Sequence, residues 1–396
     1  MPDGGTAFLN MPQSQLNFFS PEVRQDPYPF YEKLRHDAPV MNLPGFGWVI
    51  SRYDEAAFVL GNPDVFSSSI MAVADHVLVG CDPPDHTGHR AIVTRAFSSE
   101  RIRSLDAGIR SLTDLLVGRI ESMDRWDLMG DLALPLPIML IAEILGIPPE
   151  RHQEFKSWAD AMSTGSGIGP GGPQSGASRS LREMDTFFRE VIESRRAQPG
   201  NDLISGLLHP SSEDNALTPD QVLSFAKLLL VAGSETTTNL IGNTVMALLR
   251  NPGEFAKLRD DPALLPGAIE ETLRYDAPVQ FVVRQTTRST TLAGNDIPAG
   301  ARVMALLGSA NRDESRFDDA DRFDIGRKPQ ANLAFGFGPH YCLGATLARM
   351  EAASALGRVL PMLDGFRVAG DLSRIPLVQS MQLRGPSSLP FIRANP

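Results

Sequence analysis

Three groups of side chains in this 396-residue sequence have types and spacings that could do chemistry. The first is Cys342, set in Phe335-Gly-Phe-Gly-Pro-His-Tyr-Cys-Leu-Gly344 and followed by Ala345-Thr-Leu-Ala-Arg-Met-Glu351, which reads as the first turns of a helix. Glycines ahead of a helix let the backbone turn tightly and present its N–H groups. A thiol there meets amide donors and the positive end of the helix dipole, which favours the thiolate, the form that binds a metal. A small buried hydrophobe in a tight turn would use the same residue. The second group is Glu235 and Thr236, preceded by Ala232, Gly233 and Ser234. An acid beside an alcohol can move protons, and a core Thr next to a paired Glu has the same sequence. The third is His86 and Arg90, at i and i+4 after Asp82-Pro83-Pro84. Two donors on one helical face either grip an anion or form a solvated surface pair.

The elements that must position these groups carry start and stop signals. Thr218, Pro219 and Gln221 supply a cap, a first-turn proline and a capping-box partner, so a helix is predicted over 218–250, ended by Asn251-Pro252. It would span about 45 Å. Leu228, Leu229, Leu230 and Val231 make it apolar on nearly all sides, hence buried. Its middle runs against helix propensity, with Gly233, Glu235 and Thr236 where Leu or Ala would be preferred. Gly233 lets a flat ligand approach the backbone. Thr236 can bond the carbonyl four residues back and open a small groove, and Glu235 is costly to bury without a partner or a proton to move.

Elsewhere, 27–39 reads as a short helix and 47–53 as a strand, while apolar 71–79 reads as a loop with buried contacts. Paired prolines open the helix carrying His86 and Arg90. Helical patterns follow over 104–123, 137–146 and 155–162. Residues 163–180, rich in Gly, Pro and Ser, read as a flexible connector between two helices. Glu271 and Arg274 are an i, i+3 pair; Pro278 ends their helix, and Phe281-Val282-Val283 then reads as a strand with Arg284 at its end. One domain over 1–396 is expected, with 1–25 poorly structured.

Composition bounds the function. An apolar share of 42% is ample for a core that closes over a cofactor. Two cysteines, Cys81 and Cys342, give no disulfide framework and suggest a reducing cytosol, so a cytoplasmic protein is expected. With 37 basic and 47 acidic residues the net charge is −10 and no basic tail appears, so nucleic acid is not an expected partner. Neither a signal-peptide pattern nor an uncharged apolar run of about 18 residues is present, so no membrane span is expected.

Phe335, Gly338, Cys342 and Gly344 fit Phe-x-x-Gly-x-x-x-Cys-x-Gly, which resembles the haem-thiolate loop of the cytochrome P-450 superfamily. Haem b supplies the remaining iron ligands that a lone cysteine cannot. The resemblance continues in order along the chain, and its implications are carried over residue by residue. His86 and Arg90 resemble the family's His-x-x-x-Arg propionate grip, Arg284 its second propionate arginine, and His340 a further propionate contact. Ala232-Gly233-x-Glu235-Thr236 resembles the oxygen-activating segment, which implies proton relay by Glu235, hydrogen bonding of the activated oxygen by Thr236 and access over Gly233. Glu271, Arg274 and Arg322 resemble the Glu-Arg-Arg network behind the haem, although Ala320 stands where the family often has Pro. Phe281, Val282 and Val283 would border the substrate.

The implied fold is mainly α with a smaller β-rich part, haem lying between the long central helix and the Cys342 loop. Residues 163–180 would belong to a moving lid. The implied function is a mono-oxygenase that inserts one atom of O2 into a small apolar molecule, hydroxylating or epoxidising it. Electrons would come from a separate ferredoxin and its reductase, and the protein would act as a monomer. Arg95, Arg101, Arg103 and Arg349 would make the cysteine side basic enough for an acidic carrier. A peroxide-driven haem enzyme and a non-catalytic haem sensor are the rival readings, and the Glu235–Thr236 pair argues against both.

Overall fold

A computed structural model describes residues 20–71, 77–151, 154–155, 157–158, 175–210 and 216–394 of the chain. The helices through the first half are α1 (Pro21–Gln25), α2 (Tyr28–Asp37), α3 (Tyr53–Gly61), α4 (Asp85–Ala96), α5 (Ser99–Ser104), α6 (Asp106–Glu121) and α7 (Pro135–Ile144). Then come α8 (Ser175–Ala197), α9 (Leu203–Leu208), α10 (Pro219–Arg250), α11 (Pro252–Asp260), α12 (Leu265–Tyr275), α13 (Leu307–Ala310) and α14 (Ala345–Met362). Short strands complete the fold: β1 (Val40–Leu43), β2 (Gly47–Ile50), β3 (Phe66–Ser67), β4 (Arg125–Asp127) and β5 (Val282–Thr286). After them follow β6 (Thr290–Leu292), β7 (Asn295–Ile297), β8 (Arg302–Ala305), β9 (Phe366–Val368) and β10 (Pro390–Arg393). The molecule is mainly α with a smaller β-rich part, as expected.

The spine is α10, and its start is the predicted one. Gln221 N–H donates to Thr218 Oγ1 at 3.2 Å, and Thr218 N–H donates to Gln221 Oε1 at 2.9 Å, a reciprocal capping box. The helix ends at Asn251, before Pro252. It packs against α7, α8, α12 and α14. Its apolar residues divide between two cores. Val222 to Leu230 join one with α4, α7 and α9, whereas Leu240 to Leu248 join another with α6, α12 and α14. Between them Ser234, Thr237, Thr238 and Asn239 are buried polar residues, so the helix crosses a polar seam midway.

The β-rich part is a five-stranded sheet in the order β1-β2-β8-β5-β3, with β2 and β8 parallel and the other pairs antiparallel. This sheet brings β3 beside β5, pairing Ser67 with Gln285, next to Arg284.

Two segment expectations need revision. Of 1–25, residues 1–19 lie outside the described residues, but Pro21–Gln25 is a helix capped by Ser20, whose Oγ accepts from Val23 N–H at 3.2 Å. Its end is anchored because Arg384 Nη1 donates to the Arg24 and Gln25 carbonyls at 3.2 and 3.1 Å. Of the 163–180 connector, 163–174 lies outside the described residues, and 175–180 already forms the first turns of α8. The 155–162 helix and the 71–79 loop are described only in part; Phe155 and Trp158 are buried, and Leu78–Gly80 forms a 3-10 turn.

Candidate active site

Cys342 sits in a loop whose shape glycine permits. Gly336 and Gly338 have φ of +75° and +71°, and a Cβ on Gly338 would come to 3.0 Å from the Gly61 Cα and the Leu60 carbonyl. Cys342 N–H donates to the Phe335 carbonyl at 2.8 Å, which closes the loop. The Gly344 N–H points at the Cys342 sulfur, and Arg90 and Arg349 act on it electrostatically. Burial nonetheless pushes the Cys342 thiol up, so desolvation outweighs the helix-start donors that the sequence suggested would favour thiolate. A metal must itself drive the proton off. Leu343 packs on the first core and Phe335 on the second, so the loop, like α10, lies at the seam between them. Arg349 stacks 4.5 Å over the Phe335 ring.

On α10, Ala232 is exposed although it stands mid-helix in the molecule, and Leu228, Leu229, Glu235 and Thr236 around it are only half-buried. These positions stand three or four residues from Ala232 and share one face, which is therefore left open. Thr236 Oγ1 donates to the Ala232 carbonyl at 2.7 Å. Its hydrogen is thereby used within the helix, and its oxygen lone pairs are left to accept. Gly233 has a packing reason that the sequence did not show: a Cβ there would come to 2.8 Å from Ile141 Cδ1. The glycine lets α7 approach α10, beyond any access it gives a ligand.

The four proposed anion donors converge. His86 and His340 have ring centroids 4.1 Å apart. Both histidines lie within electrostatic reach of Arg90 and Arg284. Burial, then the neighbouring His86 and Arg284, pushes His340 down to about 3, and burial with Arg90 lowers His86. Burial also lowers Arg284 to about 10; its Nη1 donates to the Val283 carbonyl at 2.9 Å. Among the described residues, two guanidinium groups and two imidazoles here face the carboxylate of Asp82, so this cluster suits an added anion. A group with one thiolate-bound metal and two carboxylates fits these donors: the sulfur at the seam, the propionates at this cluster.

Of the three residues expected at the substrate, Val282 and Val283 are half-buried on β5, and Val282 shares a strand face with Arg284. Val283 turns instead to the core that holds Phe281, and Phe281 is not on that wall either. It is buried with Tyr28, Tyr31, Leu34 and Met304 in a core beneath the sheet.

The charge network behind the loop also differs from expectation. Glu271 and Arg274, each 3% exposed, form a bidentate pair at 2.8 Å. The third member is Arg327, not Arg322: Arg327 Nε lies 3.1 Å from both Glu271 oxygens, and its Nη groups donate to the Asp318, Asp319 and Arg322 carbonyls. The Arg322 side chain is 58% exposed near Asp324, and only its carbonyl joins, accepting from Arg274 at 3.0 Å. Phe323 and Ile325 are buried in the second core, which turns the Arg322 side chain outward. Sequence reading used Asp82 only as the start of the Asp-Pro-Pro before His86 and gave its side chain no role, and it passed over Ser68.

Comparison with known proteins decides the family. The cytochrome P450 family model matches residues 177–369. Cytochrome P450 107B1 of Saccharopolyspora erythraea is 36% identical, over 94% of this chain and 96% of its own. This chain is a member of the cytochrome P450 family. The vitamin D(3) 25-hydroxylase of Pseudonocardia autotrophica is 35% identical, over 95% of this P450 and 96% of that protein. Among solved structures, CYP109E1 from Bacillus megaterium in complex with testosterone superposes with a TM-score of 0.86 at 35% identity, covering 93% of this P450 and all of that chain. CYP109Q5 from Chondromyces apiculatus gives 0.87 at 37% identity, over 95% and 97% of the two chains. The protein is thus a haem-dependent mono-oxygenase of the bacterial type. No helix among its described residues is long and apolar enough to cross a membrane.

Proposed function

We propose that this P450 hydroxylates or epoxidises an apolar small molecule with one atom of O2, using electrons from a separate ferredoxin and its reductase. The observation that carries the reading is the common seam. Cys342 on its glycine loop and the open Ala232–Thr236 face of α10 both lie where the two cores part. When bound, haem supplies the oxidising chemistry, since thiolate ligation favours cleavage of the O–O bond.

The chain's own residues do the rest. Cys342 ligates through its sulfur, held by the Gly344 N–H. His86, Arg90, Arg284 and His340 take the propionates and so fix the ring in its slot. Thr236, its hydrogen committed to Ala232, would offer its lone pairs as a hydrogen-bond acceptor on the open face, and Glu235 one residue before it would pass protons inward. Val282 and Ala232 give the substrate an apolar wall that excludes water. Relatives named for vitamin D3 hydroxylation, or solved with testosterone and corticosterone bound, support an apolar substrate.

The cysteine side supports docking of an electron carrier, by apolar contact more than by charge. Phe337 and Tyr341 are 48% and 42% exposed there. Arg349, expected to add positive charge, is instead paired with Glu270 at 2.5 and 3.0 Å. The test of the whole reading is spectroscopic. The reduced, carbon-monoxide-treated protein should show the thiolate-specific haem band, and Cys342→Ser should abolish it. A wild-type protein without that band, or a serine variant that keeps it, ends the proposal.

A further inference from the structure

A carboxylate in a chamber built for two propionates needs a reason, because like charges repel. Asp82 acts electrostatically on His86, Arg284 and His340. Its hydrogen bonds supply the reason. Oδ1 accepts the Ser68 N–H at 2.8 Å, and Oδ2 accepts the Ser67 hydroxyl. The Ser69 N–H donates to Ser67 Oγ at 3.0 Å, so the turn at 67–69 is pinned at each residue. The Asp82 carbonyl accepts the His86 N–H at 2.9 Å and opens α4. Ser68 is fully buried, and its hydroxyl lies 3.1 Å from His340 Nε2.

We propose that Asp82 is a positioning residue for the propionate end of the haem: by pinning the turn at 67–69 it sets Ser68 Oγ against His340 Nε2, which fixes the His340 ring and keeps its one N–H on Nδ1. The inference rests on His340 being a propionate donor. A neutral imidazole has one donor and one acceptor nitrogen; with the Ser68 hydroxyl as donor, Nε2 is the acceptor and the N–H stays on Nδ1. Outer partners of this kind orient ligand histidines at metal sites, where their loss costs about 10–100-fold in affinity. Asp82 spans three parts of the chamber at once: the helix carrying His86 and Arg90, the strand beside Arg284, and the cysteine loop.

The test is the rate of haem transfer from the ferric holoenzyme to excess apomyoglobin. Ser68→Ala and Asp82→Asn should each quicken haem loss about tenfold. The double variant should lose haem no faster than the quicker single one, because both act on one ring. The carbon monoxide band should stay at its thiolate-specific position in all of them. Unchanged rates in the single variants, or rates that multiply in the double variant as independent damage would, overturn the proposal. Should Asp82→Asn not give folded holoenzyme, Ser68→Ala decides alone, since it removes one hydroxyl. His340→Ala separates the two possible failures. If it quickens haem loss and the other variants do not, the relay through Ser68 is wrong. If it too leaves the rate unchanged, the role of His340 falls and the relay with it.

Discussion

Thr236 has one hydrogen to give, and the Ala232 carbonyl takes it at 2.7 Å. Toward the open face of α10 the side chain is therefore an acceptor, a role that a methyl group cannot fill and a serine can. Thr236→Ala should lower product formed per NADH consumed by about fivefold, the worth of one hydrogen bond of about 1 kcal/mol. The missing product should reappear as hydrogen peroxide, and Thr236→Ser should restore most of the coupling. Equal coupling in the alanine variant would favour a peroxide-driven enzyme, which has no use for this acceptor. Cys342 makes a related point about competing effects. The helix start and Arg90 and Arg349 favour thiolate, yet burial raises the thiol because few donors reach a sulfur at the seam.

At the scale of elements, the Glu271 cluster shows what a loop closes on. Arg327 is one of two guanidinium groups on a carboxylate that is 3% exposed. Arg327→Ala should cost about 1–3 kcal/mol in urea unfolding by stripping donors from a buried charge and freeing the Asp318 and Asp319 carbonyls. Arg322→Ala should stay within about 0.5 kcal/mol, since its carbonyl and not its side chain is used. The reverse order would restore Arg322 to the network. The Thr218 capping box and the Asn251-Pro252 stop were legible in sequence because each is local, written within a few residues of the helix end it fixes. The choice between Arg322 and Arg327 was not. It depends on the chain turning at Asp319, with φ of +47°, and on Phe323 and Ile325 reaching the core, which involves packing partners far along the chain. Phe281 was missed for the same reason: period-two alternation gives its face, but α2 decides that the face is core. Asp82 carried no signal beyond the Asp-Pro-Pro ahead of its helix and Ser68 none at all, since a turn serine gains its meaning only from the histidine that comes to meet it.

Across the whole molecule, two apolar cores meet at a polar seam, and α14 crosses it as α10 does. Leu347 belongs to the first core, Ala352 and Ala355 to the second, and Glu351 stands between them. Glu351 is 3% exposed, and its Oε2 has no hydrogen-bond partner among the described residues. Burial alone pushes its carboxyl up to about 8. The folded protein therefore keeps this proton at neutral pH, whereas the unfolded chain loses it near the ordinary glutamate value of about 4.3. Between those values unfolding releases a proton, so this group's contribution to stability is full below the unfolded value and is lost as pH rises toward 8. Raising the pH from 5 to 8 should destabilise the wild type relative to Glu351→Gln by up to about 4 kcal/mol, because glutamine matches the neutral acid in shape and has no proton to lose. Urea unfolding of both proteins across that range measures the difference in slope. Parallel slopes would mean that Glu351 is already ionised in the fold, which would require a cation or bound water at the seam to hold it.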